Sequence, residues 1–74
     1  MTEIGVETEA AGIVCRIERG EGQHVARDEP IVFIEITKME IPVVAPAEGK
    51  ITKLLVAEGD TVTEGQRIAI LETP

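Results

Sequence analysis

The chain has 74 residues, 43% of them apolar, and its 14 acidic against 7 basic side chains give a formal net charge of −7. A chain of this length is one domain, buries only about 60% of its unfolded surface, and needs a dense apolar core to stay folded. The lone Cys15 excludes a disulfide framework, Cys15 with the lone His24 makes no zinc set, and an acidic chain with Phe33 as its one aromatic residue offers nucleic acid neither a basic face nor a stacking platform.

The opening stretch, MTEIGVETEAAG, lacks the basic-then-apolar order of a secretion signal. No apolar run approaches the roughly 20 residues that span a bilayer. A single cysteine also fits a reducing compartment. The expectation is a soluble cytoplasmic domain over residues 1–74, or such a module of a larger protein, without membrane contact.

The elements are all β. A weak strand falls near residues 3–7 and a stronger one at about 12–18. A short piece at Gln23–Val25 follows the Glu21-Gly22-Gln23 turn, and Asp28-Glu29-Pro30 leads into a strand at 31–36. Further runs occupy 40–44 and 49–56, then a short piece at Asp60–Val62 and a strand at 67–72. Ile, Val and Thr dominate these runs, and such stiff branched side chains suit a pleated surface. Gly and Pro mark the turns between them. No stretch shows a 3.6-residue apolar period. Many short strands at even spacing predict a small sandwich or flattened barrel.

The chain is also written twice. At an offset of 37 positions Gly12 meets Gly49, Glu21-Gly22 meets Glu58-Gly59, Val25 meets Val62, Ile31 meets Ile68 and Glu35 meets Glu72. Near the front, Glu3-Ile4 meets Glu40-Ile41, Val6 meets Val43 and Ala10 meets Ala47. Two copies of one unit predict a pseudo-two-fold domain. The simplest arrangement gives one sheet to each half. It places the junction Thr37-Lys38-Met39 and the two termini at one edge, because Lys38 aligns with Met1.

Lys38 stands out at that junction. Most turn lysines are merely solvated. This one lies between two apolar strands that leave room for only a tight bend, and Thr-Lys is none of the pairs that two-residue hairpins prefer. A tight hairpin presents one long side chain for another protein to grasp. A free lysine amine titrates near about 10.4 and is nucleophilic only without its proton. Lys38 is therefore expected to be modified by a partner rather than to catalyse. Cys15 aligns with Thr52 and reads as a small strand residue, His24 as an exposed turn neighbour, and no nucleophile–base set can be assembled.

The stretch Ile34-Glu35-Ile36-Thr37-Lys38-Met39-Glu40-Ile41-Pro42, with Ala45-Pro46-Ala47-Glu48-Gly49 after it, resembles the biotinyl domain of biotin carboxyl carrier proteins. Around its modified lysine that family reads Glu-Ala-Met-Lys-Met, then Ala-Pro and a Gly. Glu35, Lys38, Met39, Ala45, Pro46 and Gly49 match. Val56 to Val62 and Gly65-Gln66 are similar to the family's second half, so the likeness runs from Gly12 to Glu72. Two positions depart: Ile36 stands where the family has Ala, and Thr37 where it has Met. Lipoyl domains share the fold and read Glu-x-Asp-Lys-Ala, and Thr37 is polar as that Asp is.

The resemblance implies a barrel-sandwich hybrid: an all-β flattened barrel of two four-stranded antiparallel sheets with internal pseudo-two-fold symmetry. It implies the thumbless kind, since Gly12–Val25 matches Gly49–Val62 without a gap. It further implies a non-catalytic carrier. Biotin would be joined to Lys38 by a biotin protein ligase, with Thr37, Met39 and Glu35 as flanking recognition residues. The domain would carry a carboxyl group from a biotin carboxylase to a carboxyltransferase, first of all in acetyl-CoA carboxylase or a related acyl-CoA carboxylase of fatty acid biosynthesis. A lipoyl carrier of a 2-oxo acid dehydrogenase complex, and an unmodified interaction module, remain the alternatives.

Overall fold

The computed structural model describes residues 2–74; Met1, the repeat partner of Lys38, lies outside them. Eight strands follow one another: β1 (Thr2–Glu7), β2 (Gly12–Ile17), β3 (His24–Val25), β4 (Pro30–Ile36), β5 (Met39–Val44), β6 (Gly49–Leu54), β7 (Thr61–Val62) and β8 (Arg67–Thr73). Each strand of the first half has its counterpart in the second at the repeat offset, residue for residue. The sheets run β1-β8-β6-β3 and β5-β4-β2-β7, and every pairing is antiparallel.

The assignment of one sheet to each half is wrong. Each sheet takes two strands from each half, because the chain changes sheets at almost every connection. Between β1 and β2 the crossing segment edges the core: Thr8 and Ala10 are buried while Glu9 between them is exposed, and the Thr8 hydroxyl donates to the Ala10 carbonyl at 2.8 Å and accepts from its N–H at 3.0 Å. The β4–β5 connection alone joins two strands of one sheet. The exchange interlocks the halves, so neither could bury its apolar face alone.

The core is symmetric in the same way. Ile31, Val32 and Ile34 of β4 face Ile68, Ala69 and Leu71 of β8, with Val14 and Ile51 beside them, all at most 1% exposed. Four irregularities in the ladders form two matched pairs. At Ile31 and Ile68 a bulge on the long central strands turns two consecutive residues into the core. At Cys15 and Thr52 a bulge leaves a residue unpaired, and each side chain donates to a facing carbonyl, Cys15 Sγ to Phe33 O at 3.4 Å and Thr52 Oγ1 to Ile70 O at 3.3 Å. Gly12 and Gly49 are required by packing: a Cβ on either would collide with a carbonyl oxygen, of Glu35 or of Glu72.

The body measures 37 × 17 × 17 Å. The strand pairs β4–β5 and β8–β1 meet at their bases, where Thr8 to Ala10 and Val43 to Pro46 line one cleft, and point away from each other. The Lys38 turn and the outer ends of β1 and β8, Thr2 and Thr73, therefore stand at opposite ends of the long axis, not at one edge. The pseudo-two-fold passes through the middle of that axis, so equivalent turns are sent to opposite poles.

Candidate functional site: the β4–β5 tip

Because every other connection crosses between the sheets, β4–β5 is the one place where the fold makes a projecting hairpin. Ile36 pairs with Met39, which leaves a two-residue loop of Thr37 and Lys38. Ile36 packs on the core and roots the hairpin. Beyond it Thr37, Lys38, Met39 and Glu40 are all exposed, Met39 at 63%.

The loop backbone is strained. Thr37 has φ 54°, while Lys38 has no positive φ. That position suits glycine. A β-branched residue there is an outlier, costing about 1–2 kcal/mol. Strain of this kind persists only where the surroundings impose it, and it clusters at functional sites.

Of the residues singled out in the sequence, Thr37, Lys38 and Met39 form the tip itself. Glu35 lies one pair below, on the outward face of its sheet, directly opposite Glu40. Like charges facing each other across a ladder destabilise it. Arg16 offsets them in part: its Nη2 is 4.0 Å from Glu40 Oε1, its Nε is 2.7 Å from Glu18 Oε1, and its guanidinium lies 4.3 Å from the Phe33 ring centroid. Glu40, Arg16 and Phe33 were not singled out as site residues. Their repeat partners are Glu3, Lys53 and Ile70, alike in kind, so the offset does not single them out; only the strand pairing brings them beside the tip.

Cys15 belongs to this surface without being reactive. Its half-buried place in the sheet pushes the thiol up, and the Glu40 and Glu35 carboxylates push it further. Among the described residues Lys38 enters no ion pair. A cleft of about 780 Å³ beside Thr8–Ala10 and another of about 380 Å³ beside His24 and Glu72 include none of the tip residues. The geometry thus fits covalent attachment at the Lys38 amine. The amine is open to an enzyme, its root is held by two strands, and neither cleft would hold down a group attached there.

A family model described as "Biotin-requiring enzyme" matches residues 1–71. The chain belongs to this biotin and lipoyl attachment family, whose domains are carriers of a covalently held cofactor and not catalysts. A biotinylated protein TB7.3 homolog of Mycobacterium leprae is 33% identical over 89% of this chain and 93% of its own length. The probable dihydrolipoyllysine-residue succinyltransferase component of the mitochondrial 2-oxoglutarate dehydrogenase complex of Schizosaccharomyces pombe is 37% identical over 90% of this chain, which spans 15% of that relative. Among solved structures, the Kluyveromyces lactis urea carboxylase superposes with a TM-score of 0.90 at 28% identity, over 97% of this chain and 6% of the larger one.

Proposed function

We propose that Lys38 is the attachment point, that the group attached is biotin, and that the domain serves as the carboxyl carrier of a biotin-dependent acyl-CoA carboxylase. The observation that carries this reading is the tip: an exposed lysine on the fold's one projecting hairpin, after a strained Thr37 and before an exposed Met39. Met39 and Glu40 after the lysine favour biotin over lipoate, whose domains have Ala at the position of Met39. The likeness to a relative named as biotinylated and to a carboxylase chain supports the same choice.

Attachment forms an amide between Lys38 Nζ and the biotin carboxyl carbon. ATP is cleaved to AMP and pyrophosphate, the displaced carboxyl oxygen leaves with AMP, and Nζ, an ammonium before reaction, gives up two protons, one to become nucleophilic and one as the amide forms. The lysine loses its positive charge. When bound, biotin supplies a ring nitrogen that accepts a carboxyl group. The chain's own part is presentation: β4 and β5 hold the root of the arm, and tethering raises the local concentration of the carried group at each partner's site. The partners in this reading are a biotin protein ligase, a biotin carboxylase and a carboxyltransferase, in the cytoplasm.

Avidin blotting after co-expression with a biotin ligase tests the site. Labelling of the wild-type domain and none of Lys38→Arg is expected. Labelling that survives in Lys38→Arg would move the site to another lysine.

A further inference from the structure

The internal repeat is a built-in control on the surface. Whatever the fold demands is demanded at both equivalent positions, so an exposed residue that differs in kind between the halves has another cause. The exposed large apolar residues among those described are Ile13 at 46%, Met39 at 63%, Val44 at 39% and Leu55 at 47%. Their repeat partners are Lys50, Thr2, Glu7 and Glu18, every one polar.

Two of the four lie on the outward face of the β5-β4-β2-β7 sheet: Ile13 in the row beside the tip, paired with Glu35, and Val44 at the foot of β5, paired with Pro30 beside the cleft. The row nearest the tip runs Thr61–Ile13–Glu35–Glu40. Its equivalent in the other sheet runs His24–Lys50–Glu72–Glu3. There a lysine flanks the two facing glutamates. Beside the tip, an exposed isoleucine takes the lysine's place, and the next row runs Arg16–Phe33–Pro42, with the Arg16 guanidinium over the Phe33 ring and turned to Glu18. The fold tolerates lysine at this position, as Lys50 shows, yet the tip side has an apolar residue there, and Glu18, Glu35 and Glu40 share the single cation Arg16, so this face stays acidic.

Resting on the carrier reading above, we propose that this one face, centred on Ile13 and Val44 with Glu35 and Glu40, is the docking surface for the enzyme that forms the amide on Lys38. Two arguments select that occupant. Before modification there is no long arm, so the enzyme must bring its active site to within one lysine length of the hairpin and cover the sheet beside it. Later partners meet the end of the arm and need less of the domain. The charge selects a basic surface with an apolar patch, and a second copy of a chain with net charge −7 is repelled. The opposite sheet, with Lys50 and Lys53 outward, is not part of the interface.

The test exchanges residues between repeat partners, which keeps each substitution compatible with its strand. Biotinylation by a purified biotin protein ligase with biotin and ATP is measured against domain concentration for Ile13→Lys, Val44→Glu and, on the other sheet, Lys50→Ile. The KM of Ile13→Lys rises about tenfold and that of Val44→Glu by several-fold, with kcat little changed, as expected for a lost docking contact. Lys50→Ile keeps both constants, and all three variants unfold at the wild-type temperature. A KM within about twofold of wild type for both Ile13→Lys and Val44→Glu would overturn the docking surface while leaving the carrier reading intact. Absence of modification on the wild-type domain would overturn both.

Discussion

Asp28 and Gly65 stand 37 positions apart and adopt the same left-handed backbone, φ 71° and 83°. Gly22 and Gly59 form a second such pair at φ 86° and 94°. Left-handed positions are thus a property of the repeat, and Thr37 is the exception. Its repeat partner is Pro74, whose ring holds φ negative, so the repeat does not share its φ of 54°. The strain at Thr37 belongs to the tip and not to the fold.

Relieving it should stabilise the domain. Asn tolerates the left-handed region and Thr does not, so Thr37→Asn is expected to gain about 1 kcal/mol. In a domain of this size that is about 4–8 °C in the unfolding midpoint. An unchanged or lower midpoint by calorimetry would show that the Thr37 backbone is relaxed. Thr37→Met restores the residue of the biotinyl pattern, and its rate of biotinylation is expected to equal or exceed wild type.

Cys15 and Thr52 fill the same bulge and bond the equivalent carbonyl, so Cys15→Thr should fold with an equal or higher midpoint. The thiol also carries a pH signature. Its pKa is raised in the folded state above the ordinary thiol range, by burial and then by the Glu40 and Glu35 carboxylates. The folded domain therefore holds this proton more tightly than the unfolded chain. The resulting stability is fully present below the unfolded pKa and is lost as pH rises through the folded one. Wild type should lose stability faster than Cys15→Thr in denaturant titrations above about pH 9. Parallel loss in the two would contradict the shift. Glu40→Gln removes one cause of it and should speed alkylation of Cys15.

Much of this architecture is legible in the residues. The offset from Gly12 to Gly49 locates the strand counterparts, and the poor turn chemistry of Thr37-Lys38 marks the tip. What an offset cannot say is which strands pair. It identifies equivalent residues, whereas pairing depends on where the chain changes sheets, and buried Thr8 and Ala10 mark the change between β1 and β2. The face around Ile13 was hidden for a related reason. One exposed isoleucine is ordinary in any protein, and it becomes informative only when Lys50 is known to occupy the same place on the other sheet.

Gly12 and Gly49 offer a paired test of the fold. Ala at either position meets a backbone carbonyl, so each substitution is expected to cost about 2 kcal/mol. That lowers the midpoint by roughly 10 °C. Gly12→Ala pushes on Glu35, at the root of the tip, and should also slow biotinylation; Gly49→Ala pushes on Glu72, at the far pole, and should not. Equal biotinylation rates in the two folded variants would mean that the tip does not depend on how β2 packs beneath it.

The central claim is that Lys38 carries biotin. Intact-mass spectrometry of the domain, produced with both a biotin ligase and a lipoate ligase active, tests it most directly, followed by mapping of the modified peptide. The account predicts one biotin adduct, located on Lys38. A lipoyl adduct, an adduct on another lysine, or an unmodified mass in the presence of both active ligases would contradict it.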